Sequence, residues 1–133
     1  MREIKFRAWD KNKKEMCEVI ELIHNGKYAK LFGLTNKWLE KKFSKSFELM
    51  QFTGLKDKNR KEIYEGDILV AVGNINIYFL VGFGDDTDKE YFGFTLESLN
   101  RTKMIYSFCR DVERYEVIGN IYESPKLLDT VKC

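Results

Sequence analysis

Apolar and polar positions alternate along most of this chain with a period near two, the spacing of strands that bury one face. Residues Glu3–Trp9 place Ile4, Phe6 and Ala8 on one side and Lys5, Arg7 and Trp9 on the other. A polar turn, Asp10–Lys14, leads into a second predicted strand, Met16–Ile23. Asn25-Gly26 then sits between two apolar runs, VIELI and YAKLFGL. That pair predicts a tight hairpin, because both central positions of a type I′ turn need positive φ. Thr35–Phe47 carries a mixed signal. Trp38, Leu39, Lys42 and Phe43 fall at helical offsets, yet KFSKSFEL alternates, so the stretch reads as connector or strand.

Beyond Leu49 the pattern sharpens. LMQFTGL predicts a short strand ending at Gly54, Lys56–Lys61 a charged turn, and Ile68–Val72 a buried strand. Between them, Glu65-Gly66-Asp67 marks a tight corner: glycine supplies a backbone conformation that other residues resist, and aspartate bonds its own turn. Gly54, Gly66 and Asp67 are therefore read as structural turn residues. A Gly-Asp-apolar-apolar run of this kind is common where strands start in small SH3-like barrels. Gly73-Asn74 turns the chain into INIYFLVGFG, Asp85–Glu90 is a polar loop, and YFGFTLESL returns. Lys103–Cys109 and Val112–Ile121 predict the last strands. Ser124-Pro125 opens a short C-terminal turn of helix, SPKLLD, with serine suited to the N-cap and proline to the first helical position. Strands so closely spaced indicate a barrel or sandwich. No internal repeat stands out.

Composition agrees with that class. The chain has 133 residues, 44% of them hydrophobic, which is enough for a core. Ten Phe, seven Tyr and two Trp favour strands, where rings pack across a pleated surface. Cys17, Cys109 and Cys133 are an odd set without CxxC spacing, unlike the disulfide framework of a small secreted domain. MREIKFRAWD has no apolar run of the signal-peptide kind, and no stretch approaches a membrane span. A cytoplasmic protein with reduced thiols is expected. The net charge of +2 is unevenly spread: residues 1–50 carry 12 Lys/Arg against 7 Asp/Glu, a sum of +5, and residues 51–133 carry 11 against 14, a sum of −3. Such asymmetry can mark a nucleic-acid face, or let a basic lobe of one subunit meet an acidic lobe of another; solvated lysines explain it as well.

Catalytic chemistry finds little support. The single histidine, His24, has no Cys or His partner at metal-ligand spacing. Asp85, Asp86, Asp88 and Glu90 crowd one loop without the order of a calcium site and read as a solvated hairpin tip. Gly82, Gly84 and Gly93 do not form a GxGxxG and read as bends in strands. Neither a GxSxG nor a nucleophile with a plausible histidine base is present. The better lead is the basic stretch Lys5, Arg7, Trp9, Lys11, Lys13 and Lys14: cations neutralise phosphates, and an exposed Trp can stack a base. The bland alternative is a wet hairpin with Trp9 at the edge of the core.

Three blocks go beyond generic pattern. REIKFRAWDKNKKEM, LMQFTGLKDKNRKEIYEGDILV and YEVIGNIYESPKLL, in this order and spacing, closely resemble the YopX family of bacteriophage and prophage proteins. Arg60 departs from the pattern, which has a glycine in that loop; residues 17–48 and 71–111 match no fixed pattern. The resemblance implies a mainly-β fold with an SH3-like small barrel core, added N-terminal strands or hairpin and a short C-terminal helical turn. It implies a phage or prophage origin and a bacterial cytoplasmic setting. It carries over no activity, cofactor or functional residue.

The expectation is thus a single domain over residues 1–133, with a basic N-terminal lobe, 1–48, and a barrel core, 49–128. No catalytic, cofactor or metal site is expected. The expected function is that of a binding or assembly module that joins copies of itself or a phage or host protein, without membrane contact. The alternative is a nucleic-acid binder using Lys5–Lys14, and a small enzyme is the least favoured reading.

Overall fold

The computed structural model of the chain describes residues 3–23, 26–33, 39–71, 73, 76–100, 105–108 and 114–131. His24, Asn25, Trp38, Asn74, Cys109 and Cys133 lie outside these, and with them part of the expected turns at Asn25-Gly26 and Gly73-Asn74. Within the described residues the chain is mostly antiparallel strand, as its period-two pattern predicts.

The first strands form a meander: β1 (Phe6–Asp10), β2 (Glu15–Ile23), β3 (Tyr28–Gly33) and β4 (Leu39–Phe43). A 3₁₀ turn at Ser44–Ser46 then leads to β5 (Phe47–Lys56), which returns to pair with β1. The ambiguous stretch before Phe47 is therefore a strand followed by a single tight turn. β6 (Glu62–Tyr64) joins the far side of β5, giving the order β4-β3-β2-β1-β5-β6.

A second meander follows: β7 (Asp67–Ala71), β8 (Ile77–Asp85), β9 (Phe92–Ser98) and β10 (Ile105–Ser107). Strand β11 (Tyr115–Asn120) returns to pair with β7, and the order is β10-β9-β8-β7-β11. A short helix, α1 (Pro125–Val131), ends the described chain. Ser124 precedes it and Pro125 opens it, as read from the sequence, and the Leu127 N–H donates to the Ser124 carbonyl at 3.0 Å.

The strand order of the second meander repeats that of the first. Four antiparallel strands are followed by a fifth that lies beside the first, so a repeat exists that the sequence does not display. The pairings of the described residues leave both sheets open, and the barrel closure expected of an SH3-like core is not among them. By internal contacts the chain divides into two compact units, Met1–Phe52 and Thr53–Cys133. The division falls inside β5.

Each unit has its own core. In the first, Ala8, Cys17, Ala29, Leu31 and Phe47 are buried together, with Val19 against them. Register explains the grouping: Ala8 opposes Cys17, Cys17 opposes Gly33 and Val19 opposes Leu31, so all point to one face. Gly33 leaves room there for the Glu15 carboxylate, which a Cβ would push aside. The second core is larger and more aromatic: Ile63, Leu69, Phe79, Val81, Phe94, Leu96 and Phe108, with Leu55, Tyr115 and Val117 packed on it. Burying each large side chain contributes about 1.5–3 kcal/mol. Strand β7 is buried at Ile68 and Leu69 alike, so both of its faces are covered, and its two edges are paired with β8 and β11.

Two boundaries differ from expectation for physical reasons. Ile4 is exposed, and the first strand begins at Phe6. The strand expected to end at Gly54 instead continues through it to Lys56. Gly54 has φ +87° and its neighbour Thr53 spans the irregularity: the Thr53 hydroxyl donates to the Ile63 carbonyl at 2.8 Å and accepts the Leu55 N–H at 3.2 Å. Gly54 bends a strand rather than closing one.

Candidate binding face

The basic stretch singled out in the sequence is divided by the fold. Lys5, Arg7 and Trp9 share one face at β1, an interior strand paired on both sides, with β2 and with β5. All three are half-buried. Lys5 lies 3.3 Å from the Glu3 carboxylate, and its ammonium sits 5.1 Å from the centre of the Phe52 ring. Trp9 stands opposite Met16 on one neighbour and Glu48 on the other.

Lys11, Lys13 and Lys14 belong to the β1–β2 turn and are exposed. The turn is organised by Asp10, itself buried, whose Oδ1 accepts the N–H groups of Asn12 at 2.9 Å and Lys13 at 3.2 Å. The other oxygen faces the Lys42 ammonium at 3.8 Å. Lys11 reaches Glu48 at 2.9 Å. The six residues therefore form a strand face and a separate turn, with glutamates beside two of the lysines.

Gly66 and Asp67 form the corner ahead of β7. Gly66 has φ +84°, its N–H donates to the Val81 carbonyl at 2.8 Å, and its own carbonyl accepts the Ile121 N–H at 3.0 Å. Asp67 is fully buried and accepts the Tyr64 N–H at 2.8 Å. This corner ties β8 and the end of β11 together through the main chain of Gly66, and β6 through the Asp67 carboxylate.

A residue the sequence reading passed over does more. Asp57, at the head of the charged turn, is buried; its Oδ1 accepts the N–H groups of Asn59 and Lys61, both at 2.8 Å. Its Oδ2 accepts the Val117 N–H at 2.9 Å, and the Lys58 N–H donates to the Tyr115 carbonyl at 3.0 Å. The charged turn thus satisfies outward main-chain groups of β11, 60 residues away in sequence. Arg60 adopts φ +67°, which accounts for the glycine of the resembling pattern.

A second buried acid, Glu15, lies directly across from Asp10, with the Cys17 thiol 3.9 Å from its Oε1. The only signal for it in the sequence was its position as the first residue after a turn. Among the described residues, no group of three or more His, Cys, Asp or Glu is placed to hold a metal ion. None of the helices described is long and apolar enough to cross a membrane.

The tip of the β8–β9 hairpin is the other candidate. Asp86 holds it: its N–H donates to the Tyr91 carbonyl, and its Oδ1 accepts the Glu90 N–H, both at 3.1 Å. Thr87 anchors the loop to β10, its hydroxyl accepting the Ile105 N–H at 2.7 Å. Asp85, Asp88 and Glu90 are exposed around it. Gly84 and Gly93 face each other across the strands below, and a Cβ on Gly93 would strike the Tyr91 ring.

Beside those acids, Phe83 and Phe92 stand 51% and 69% exposed. Their rings meet edge to face at 5.2 Å, and Phe83 meets the buried Phe94 in the same way at 5.1 Å. The alternation assigns them to the core face, in line with Phe79 and Val81 on β8 and with Leu96 and Phe94 on β9. A core stripe here runs out into solvent.

Comparison with known proteins adds the following. A family model described as YopX protein matches residues 5–129. The solved structure of protein EF1440 from Enterococcus faecalis is similar, with 30% sequence identity and a TM-score of 0.64, covering 96% of this chain and 99% of that one. Against curated proteins there is no match.

Proposed function

The chain belongs to the YopX family, and from that premise we propose that it is a non-enzymatic binding module, encoded by a phage or prophage, that assembles with copies of itself. The observation that carries this reading is the pair Phe83 and Phe92, large apolar rings continuing a core stripe into solvent. Apolar surface left in line with a core is favourable to cover. The basic residues 1–50 and the acidic residues 51–133 supply the attraction that a second copy can satisfy.

Nucleic-acid binding is less well supported by the geometry. Lys5 and Lys11 have glutamates at 3.3 Å and 2.9 Å, and Trp9 is half-buried on an interior strand rather than held out for stacking. Three buried carboxylates, Asp10, Asp57 and Asp67, accept main-chain N–H groups, which is what turn-holding side chains do.

Two copies of the full chain carrying different affinity tags test the proposal. When they are co-expressed, capture of one tag is expected to retain the other. Light scattering on the untagged protein is expected to give a mass above 15.8 kDa. Loss of co-capture together with a monomer mass would contradict the reading.

A further inference from the structure

We propose that copies of this chain join head to tail, the acidic aromatic tip of the β8–β9 hairpin of one copy docking on the basic β1–β2 turn of the next. The inference rests on the self-association reading above and names the two surfaces that would carry it.

The tip supplies both an apolar anchor and a sign of charge. Phe92 and Phe83 are the exposed end of a ring series that continues to buried Phe94, so the anchor is held by the core rather than by a loose loop. Thr87 and Asp86 fix the loop above it through hydrogen bonds to β10 and within the turn. Residues 85–90 contain Asp85, Asp86, Asp88 and Glu90 against Lys89, a net charge of −3. An anionic rim repels nucleic acid and anionic lipid and selects a cationic partner surface.

The chain presents such a surface itself. Residues 11–14 contain Lys11, Lys13 and Lys14, a net charge of +3, all three exposed, while the acids that flank the turn, Asp10 and Glu15, are buried and Glu48 meets Lys11 at 2.9 Å. This turn is pre-shaped, since the buried Asp10 carboxylate fixes the main chain of Asn12 and Lys13 and points the lysines outward. Docking costs less when both surfaces are ordered beforehand. Each copy offers one tip and one turn, so the contact builds rings or open chains when repeated in one sense and a two-fold pair when two copies exchange it.

Charge exchange tests this. One variant reverses the tip (Asp85→Lys, Asp88→Lys, Glu90→Lys) and leaves Asp86 to hold the loop. A second reverses the turn (Lys13→Glu, Lys14→Glu) and leaves Asp10 in place. A third, Phe92→Ser, removes the anchor without changing charge. Sedimentation velocity is run on each over a dilution series, with circular dichroism to confirm the native fold. Each variant alone is expected to self-associate about tenfold or more weakly than the parent chain. An equimolar mixture of the tip-reversed and turn-reversed chains is expected to associate again, each tip now finding a turn of opposite sign. Folded variants that associate like the parent, or a mixture that fails to recover, would overturn the docking surfaces while leaving self-association standing. A parent chain that stays monomeric at every concentration would overturn both.

Discussion

Residues 6–56 and residues 67–120 lay down the same strand order, a four-strand meander with a fifth strand returning beside the first, yet they finish it differently. The lengths run in parallel: β1 and β7 have five residues each, and β2 and β8 have nine. The first unit fills its core with small side chains, Ala8, Cys17 and Ala29, beside Leu31 and Phe47. The second uses Phe79, Phe94 and Phe108 with Ile63 and Leu69. One strand order therefore tolerates two core chemistries. What must be kept is the turn that sets each register.

A short sequence makes the point more sharply. DKNKKE at residues 10–15 and DKNRKE at residues 57–62 differ at one position, and each begins with a buried aspartate. Asp10 bonds only its own turn, at Asn12 and Lys13, and meets Lys42. Asp57 bonds its own turn and also the Val117 N–H of a distant strand. The left-handed residue moves too: Lys14 in the first, Arg60 in the second. Nearly identical residues close two different turns, and the long-range bond separates a local device from one that fastens a strand.

The largest expected effect breaks that contrast directly. Asp57→Ala removes the acceptor of three N–H groups, two on exposed residues of its own turn and one, Val117, on the distant β11, and is expected to cost about 3–4 kcal/mol in urea unfolding. Asp10→Ala removes bonds to N–H groups of exposed residues that water can replace, and about 2 kcal/mol is expected. Equal losses would mean that the bond to Val117 contributes nothing. Gly66→Ala forces a side chain into φ +84° and should cost about 1–2 kcal/mol by the same measurement. Smallest of all, Arg60→Gly relieves a left-handed position and is expected to stabilise by about 0.5–1 kcal/mol. A destabilised Arg60→Gly would show that the arginine side chain has a role its backbone does not explain.

Much of the fold was legible before the structure. Alternation located β1, β2, β8 and β9, the polar turns at 10–14 and 85–90 separated their pairs, and Gly66-Asp67 marked the corner ahead of buried β7. The repeat was hidden because strand order is a property of main-chain pairing, and alternating residues can satisfy it with unrelated side chains. Only the hexapeptide recurs, and it appears once at a meander's first turn and once before the second meander begins. Gly54 misled for a related reason: positive φ ends many strands, but a threonine hydroxyl bridging the irregularity lets β5 continue.

The candidate site was harder to read. Alternation placed Lys5, Arg7 and Trp9 together, but it does not show that all three are half-buried or that Lys5 is engaged by Glu3 and the Phe52 ring. The acidic loop was visible as charge alone. The exposure of Phe83 and Phe92 could not be read, since both fit a core stripe in sequence, and only the arrangement of the second core reveals that it stops short of them. Electrophoretic shift assays at low salt offer a further separation of the readings: little retention of DNA or RNA is expected, with phosphate contacts at their strongest.

Sedimentation velocity of the unmodified chain, diluted from millimolar to micromolar at low and at raised salt, tests the central claim most directly. A weight-average mass that climbs above 15.8 kDa with concentration, and falls back as salt is raised, is the predicted result. A mass fixed at 15.8 kDa across the whole series, in both salts, would contradict it.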